Sequence, residues 1–301
     1  MSMLIKGIGI NAHPGRIEGQ IKKLEKDLRF FQDVGYDYVE IPVDAIDVVY
    51  RGRPVPKRLR ALKSLFSDFE LEYTVHSPLA LDLRDREDHP VQLDLFQASL
   101  DFTAEIGARI FVYHYGRKTE DPGLEELLHR SMLEMAAYAA EREVLICVEN
   151  IEIDTVQNVI DFVRGIGHEN VGMTLDLGHG YLAAQRFKFD FLESVRLARP
   201  YVRHIHLSDN FGRFEETRLV GYEQYKQIPY RKRLALGKGD LHLPPGWGEV
   251  PWEAALGLLD GYEGVLVLEY YHHRYRPEAR RILAEVRERV QGICQARGNR
   301  P

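Results

Sequence analysis

The chain has 301 residues, of which 45% are hydrophobic and 29% are charged, and its net charge is −6. This composition supports a large core and argues against disorder, while the acidic balance gives no global basic field that would attract nucleic acid. Two cysteines, Cys147 and Cys294, cannot form a disulfide framework. No signal peptide or bilayer-spanning apolar run is present, so we expect a soluble, cytoplasmic protein without membrane partners.

Short β-type runs alternate with amphipathic helical patterns along the whole chain. The predicted strands are residues 5–11, 38–43, 71–76, 109–114, 144–149, 171–176, 202–207 and 264–269. The predicted helices are residues 17–34, 56–66, 90–106, 124–140, 155–165, 191–198, 252–259 and 278–296. A long irregular stretch, residues 208–248, separates the seventh strand from its helix.

Eight strands, each followed by a helix, predict a (β/α)8 TIM barrel that forms one domain over residues 1–301. An open doubly wound sheet is the alternative, but eight uninterrupted units fit it less well. The first strand is also not followed by the Gly-x-Gly-x-x-Gly of a dinucleotide fold. In a barrel the carboxyl ends of all strands converge on one mouth. We expect residues 208–248 to lie over this mouth as a lid that brings in Asp240 and His242.

Residues that can bind metals stand at the carboxyl ends of most predicted strands and in the lid. They are Glu40, His76, His114, Glu149, Asp176, His179, His206, Asp209, Asp240, His242 and Glu269. A single one of these is commonly a hydrogen-bonded structural residue or a loop ion pair. Four of them, Glu149, Asp176, His206 and Glu269, end four different strands, which chance explains poorly. We therefore predict a divalent metal site at the mouth.

The remaining candidates are interpreted more conservatively. Glu40 is taken as an ordinary strand-end residue because Pro42 disturbs that strand end. His204 faces the same side as His206 but one layer deeper, so we favour a core histidine over a group that supports a ligand. His272 and His273 could reach the rim of the mouth but fit no motif. Four further histidines are expected at the surface: His13, His89, His129 and His168.

The order and placement of these residues resemble the xylose-isomerase-like TIM barrels from the second strand to the eighth. That group contains sugar and sugar-phosphate isomerases and epimerases, and the endonuclease IV type of AP endonuclease. The matching segments are residues 76–79, 114, 148–150, 176–179, 204–210, 240–248 and 268–269. No segment is specific alone, but their order and placement together are.

The epimerase branch implies one divalent ion (Mn, Zn, Mg or Co) held by Glu149, Asp176, His206 and Glu269. Glu149 and Glu269 would also be the catalytic pair, removing and returning a proton while the ion stabilises an enediolate. The endonuclease branch implies a trinuclear zinc cluster. Its additional ligands match His76, His114, His179, Asp240 and His242, all of which are present.

The resemblance also suggests residues that contact the substrate. His179 would hold a substrate oxygen or a second ion, and Asp209, Trp247 and Lys238 are further candidates. Trp247 could stack on a sugar face, whereas Trp252 is expected to open a helix in the core. Between Arg213 and Lys238 the lid carries many basic residues and three tyrosines. These suit a phosphate or a DNA backbone, and equally a solvated loop face.

The preferred function is a metal-dependent isomerase or epimerase of a sugar or sugar phosphate. Residues 243–252 resemble the Pro-Gly-x-Gly-x-x-x-Trp segment of the sugar branch, and the net charge agrees. AP-site cleavage is the alternative, and only there would nucleic acid be a partner. A binding or regulatory barrel is disfavoured by the intact ligand set. The sequence leaves the substrate, the metal, the number of ions and homo-oligomerisation open.

Overall fold

The computed structural model describes residues 3–298 and contains a closed barrel of eight parallel strands. Each strand pairs with the next in the chain, and β1 closes the barrel by pairing with both β2 and β8. The strands are β1 Leu4–Asn11, β2 Tyr38–Pro42, β3 Glu72–His76, β4 Ile110–His114, β5 Leu145–Glu149, β6 Val171–Asp176, β7 Val202–Leu207 and β8 Glu263–Leu268. The predicted (β/α)8 TIM barrel is confirmed.

Helices surround the barrel and bury their apolar faces against the strands. They are α1 Pro14–Ile17, α2 Ile21–Val34, α3 Pro56–Phe66, α4 His89–Glu105, α5 Pro122–Ala140, α6 Val156–Ile166, α7 Leu177–Phe187, α8 Phe191–Ala198, α9 Thr217–Val220, α10 Tyr222–Gln227, α11 Tyr230–Leu236, α12 Trp252–Leu256 and α13 Ala279–Gly298. In α6 the buried residues Val156, Val159, Ile160 and Val163 follow the spacing of one helical face. Within residues 3–298, none of these helices has the length and apolarity needed to cross a membrane.

Outside residues 208–248, the helices that follow β1 and β6 differ from the prediction. The helix predicted over residues 17–34 begins only at Ile21, as α2, and Ile17 instead ends the short α1, because Glu18 and Gly19 adopt left-handed conformations with φ of 46° and 71°. Helix α7 was not predicted and follows β6 directly. Asp176 is both the last residue of β6 and the N-cap of α7, since its Oδ1 accepts the backbone N–H of His179 at 2.6 Å.

Residues 208–248, which we call the lid, are more regular than predicted. They contain the three short helices α9, α10 and α11. An isolated antiparallel bridge between Asp209 and Leu243 joins the two ends of the lid. Arg218, Tyr225 and Arg233 of the lid line one cavity together with the strand-end residues, and we call this the mouth cavity. The lid therefore lies over the mouth of the barrel.

Candidate metal centre

Glu149, the last residue of β5, is fully buried at the centre of the strand-end residues. Its Oε2 lies 3.2 Å from Nε2 of His76 and 3.2 Å from Nε2 of His114. Its Oε1 lies 3.3 Å from Nδ1 of His206 and 3.4 Å from Nδ1 of His179. One carboxylate therefore contacts imidazoles supplied by four different elements, as expected where the strands of a barrel converge.

The nine predicted ligands form three groups, and within each group the donor atoms lie within 4.8 Å of one another. Group one is His76, His114 and Glu149; group two is Glu149, Asp176, His206 and Glu269; group three is His179, Asp240 and His242. Glu149 belongs to groups one and two. His179 links groups two and three, since its Nδ1 is 3.6 Å from Asp176 Oδ2 and its Nε2 is 3.4 Å from Asp240 Oδ2.

Hydrogen bonds orient three of the imidazoles. Nδ1 of His76 lies 2.8 Å from the carbonyl of Ser77, and Nδ1 of His242 lies 2.5 Å from the carbonyl of Glu269. A carbonyl can only accept, so each Nδ1 carries a proton, and each Nε2 is left facing a carboxylate, that of Glu149 for His76 and that of Asp240 for His242, where a cation could replace its proton. His206 is turned the other way, with Nε2 at 3.1 Å from Glu40 Oε1 and Nδ1 facing group two. Metal-binding histidines are commonly held in this manner through their second nitrogen.

Several buried polar atoms of the three groups have no hydrogen-bond partner in the part of the chain that the structure describes. They include Asp176 Oδ2, His179 Nδ1 and Asp240 Oδ1. An unpaired buried polar atom is costly, and a bound cation would give each of these atoms a partner. Carboxylate and imidazole donors suit Zn and the other first-row divalent ions. The residues present therefore fit a divalent metal centre.

The buried charges perturb one another strongly. Burial raises the pKa of Asp176 to about 7, and the neighbouring carboxylates of Glu269 and Glu149 add to this effect. Burial opposes ionisation of Glu149, yet His206 and His114 hold its pKa well below the usual range. Burial also opposes protonation of His76, but Glu149 raises the pKa of His76 to about 9. A cation must displace such imidazole protons, so we expect metal affinity to fall as pH falls.

Glu40 has a role that sequence reasoning missed. It is fully buried inside the barrel, accepts a hydrogen bond from Thr74 Oγ1 at 3.0 Å, and contacts both His204 and His206. Its interpretation as an ordinary strand-end residue is therefore wrong. Strand β2 continues through Pro42, which leaves Glu40 in mid-strand. A carboxylate flanked by the apolar Val39 and Ile41 was the signal that could have identified it.

His204 is fully buried, in agreement with the core interpretation, and its Nε2 lies 3.3 Å from Glu40 Oε2. Glu40, His204 and His206 also bring donor atoms within 4.8 Å of one another, so they form a fourth set that could hold a cation. The three residues form a buried polar layer directly beneath group two. This layer connects β2 and β7, which are separated in the barrel by β1 and β8, so it spans the barrel interior.

Three residues proposed to contact substrate lie outside the mouth cavity. The carboxylate of Asp209 accepts backbone N–H groups of Asn210, Gly246 and Val250 at 2.8, 2.8 and 3.0 Å, so it holds the end of the lid. Trp247 packs its ring edge-on against Tyr275, with centroids 5.2 Å apart. Lys238 Nζ lies 3.9 Å from a carboxylate oxygen of Glu215. The structure does not bring these residues together with the metal-capable groups, so substrate contact by Asp209, Trp247 and Lys238 stays a prediction that the proposed site does not use.

The other histidines also differ from expectation in part. His13 is not a surface residue: it lines the mouth cavity, and burial together with His273 lowers its pKa to about 4. His272 does not reach the rim, because it is fully buried with its ring 4.7 Å from that of Phe31. Trp252 opens α12 and is buried, as predicted.

The mouth cavity has a volume of about 340 Å³ and is lined by residues of all three groups and of the lid. A larger cavity of about 760 Å³ lies at the opposite end of the barrel, where Tyr38, Glu72 and Glu263 begin their strands. Barrel enzymes place their chemistry at the carboxyl ends of the strands. The smaller cavity is therefore the candidate active site.

Comparison with known proteins agrees with this architecture. An uncharacterized protein of Methanocaldococcus jannaschii is 23% identical over 266 residues, which cover 82% of this chain and 81% of that protein. A structure of a D-tagatose 3-epimerase-like protein has a TM-score of 0.70 at 21% identity, covering 95% of this chain and 98% of that structure. At these identities the structural likeness shows the fold alone.

A second structure belongs to a xylose isomerase-like TIM barrel protein from Mycobacterium smegmatis in complex with magnesium. Its TM-score is 0.69 at 17% identity, and the aligned residues cover 96% of this chain and 97% of that structure. The family described as xylose isomerase-like TIM barrel matches residues 28–290. The match spans most of the barrel and every residue of groups one, two and three, and the chain therefore belongs to the xylose isomerase-like TIM barrel family.

Proposed function

We propose that the protein is a divalent-metal-dependent isomerase or epimerase acting on a sugar or sugar phosphate. The observation that carries this proposal is the opposition of two carboxylates at group two. Glu149 Oε1 and Glu269 Oε2 lie 3.3 and 3.4 Å from the same atom, Nδ1 of His206. They come from β5 and β8, with two strands between them, so they approach one centre from different directions.

Isomerisation and epimerisation both move a proton to or from a carbon next to a carbonyl or hydroxyl. One carboxylate takes the proton, and the other returns it to a neighbouring carbon or to the opposite face of the same carbon. A divalent ion in group two, held also by Asp176 and His206, would stabilise the negative charge that develops on the substrate oxygens. Asn11 at the end of β1 donates to Glu269 Oε1 at 3.3 Å and so holds that carboxylate in place.

Phosphodiester cleavage at abasic sites is the second candidate. Groups one and three favour it, because isomerisation at group two does not require them and both are complete. Endonuclease IV-like enzymes, which this chain resembles in these positions, hold three zinc ions with such a set. A nucleic acid partner is proposed only under this candidate.

Solvent hydrogen exchange distinguishes the two reactions. An isomerase or epimerase that works by proton abstraction should incorporate deuterium from deuterated water into carbon positions of its ketose or ketose phosphate, with no DNA present. A nuclease should instead nick a duplex with one abasic site, and this activity should fall steeply as salt concentration rises. We expect exchange within a panel of ketoses and their phosphates. If the protein nicks the abasic duplex catalytically and no sugar in the panel exchanges hydrogen with solvent, the nuclease becomes the preferred function.

A further inference from the structure

Two arginines lie on the inner side of the lid. Arg218 and Arg233 line the mouth cavity together with Tyr222 and Tyr225. Cζ of Arg218 is 4.8 Å from the ring centroid of Tyr222, and Cζ of Arg233 is 5.0 Å from that of Tyr225. Guanidinium groups packed on aromatic rings keep a defined orientation. The lid therefore presents two oriented cations to the cavity.

Within the described residues 3–298, Arg218 has an anionic partner and Arg233 has none. Arg218 Nε donates to Oε1 of the buried Glu152 at 2.5 Å. Arg233 Nη1 donates to the hydroxyl of Tyr225 at 2.8 Å and to the backbone carbonyl of Asp240 at 2.7 Å, which are both neutral acceptors. Among residues 3–298, no carboxylate oxygen lies within 4.0 Å of the Arg233 guanidinium, and its Nε is buried without a hydrogen-bond partner. Arg233 thus lacks a counter-ion.

The conformation of the lid keeps Arg233 beside group three. Gly237 and Gly239 have φ of 60° and 78°, and Gly239 N donates to the carbonyl of Arg213 at 2.7 Å. These glycines let the chain turn back from α11 so that Asp240 reaches the mouth. Tyr230 of α11 donates to the carbonyl of Leu241 at 3.0 Å, which fastens the same segment a second time.

We propose that Arg233 binds the phosphoryl group of the substrate, so that the substrate is a phosphorylated sugar rather than a free one. This inference rests on the proposed function. The planar guanidinium matches the geometry of phosphate oxygens. The phosphoryl group would lie against Arg233 on the lid side of the mouth cavity, and the sugar carbons would extend past His179 to group two. A cavity of about 340 Å³ is of the size that small-molecule sites have.

Binding of inorganic phosphate to the metal-loaded full-length protein, measured by calorimetry, tests the proposal. We expect Arg233→Gln to weaken phosphate binding by about tenfold to a hundredfold, the usual effect of losing a charge-assisted hydrogen bond. The ratio of kcat/KM for a ketose phosphate to kcat/KM for the free ketose should fall by a similar factor. Arg231→Gln is the matched control, because Arg231 lies on the same helix but is exposed, and it should change neither quantity.

The variant Tyr225→Phe distinguishes the effect of a loosened lid from the effect of losing the positive charge of Arg233. This variant removes one acceptor of Arg233 and leaves the guanidinium in place, so phosphate affinity should change less than in Arg233→Gln. Equal losses in both variants, or unchanged phosphate affinity in Arg233→Gln, would overturn the proposal. Phosphate affinity is measured without turnover. Failure to turn over any sugar would therefore count against the proposed function, while the phosphate result would still decide the role of Arg233.

Discussion

Glu149→Gln is expected to reduce turnover by at least about 10³-fold and to remove most of the bound metal. General acid–base catalysis contributes roughly 10² to 10⁴ in rate, and Glu149 also contacts His76, His114, His179 and His206. Glutamine keeps the shape of the side chain but cannot take a proton from carbon, and it supplies no negative charge to a cation. Turnover and metal content per chain are the measurements.

The control for this variant is Glu134→Gln, a change of the same type at an exposed position on α5. It should leave turnover and metal content unchanged. Thermal unfolding of the metal-free proteins should show that Glu149→Gln still folds, because glutamine has the shape of glutamate and the large apolar core between strands and helices is unchanged. Retention of full metal and full turnover by folded Glu149→Gln would show that the centre is assigned to the wrong residues.

Glu40→Gln is expected to weaken metal binding by about tenfold to a hundredfold, the usual cost of losing a carboxylate that supports a metal-binding histidine. Glu40 lies 3.1 Å from Nε2 of His206 and keeps the Nδ1 side of that ring facing group two. Glutamine can present its amide N–H to Nε2, which would favour a proton on Nδ1 and block that donor. Metal titration of the metal-free protein is the measurement.

A positioning role for Glu40 makes a second observable prediction. Burial lowers the pKa of His206, but Glu269, Glu40 and Glu149 raise it well above its usual value, so the ring must be studied in the metal-free protein at a pH where it is neutral. Nitrogen NMR under that condition should show the proton moving from Nε2 towards Nδ1 in Glu40→Gln. Excess metal should restore part of the lost turnover, because Glu40 contacts Nε2 of His206 and leaves the Nδ1 donor in place. Glu120→Gln, at an exposed position, is the control. Unchanged metal affinity and an unchanged His206 tautomer would mean that Glu40 contributes only to barrel packing.

The barrel and most of the metal-capable residues could be predicted because two simple regularities coincide. Strand-type runs end abruptly in polar residues such as Glu149 and Asp176, and barrel closure brings those ends together. The same logic failed for Glu40, which lies within a strand rather than at its end. It also missed α7, because Asp176 ends a strand and caps a helix with one side chain.

The sequence predicted where the lid lies, but not its secondary structure. Its helices α9, α10 and α11 have 4, 6 and 7 residues, too short for helical periodicity to be detected. His242 adopts a left-handed backbone with φ of 44°, and its ring is fixed by the carbonyl of Glu269, 27 residues away. The inward direction of Arg233 depends on contacts with Tyr225 and Asp240 that no local pattern records.

Elemental analysis of protein purified without added metal tests the central claim, that the barrel mouth is a divalent metal centre. We predict about one Mn, Mg, Zn or Co ion per chain if group two alone is filled, and about three Zn ions if all three groups are filled. Glu149→Gln should lose this metal, and Glu134→Gln should keep it. Wild-type protein that contains no divalent metal, and takes up none when metal is added, would contradict the account.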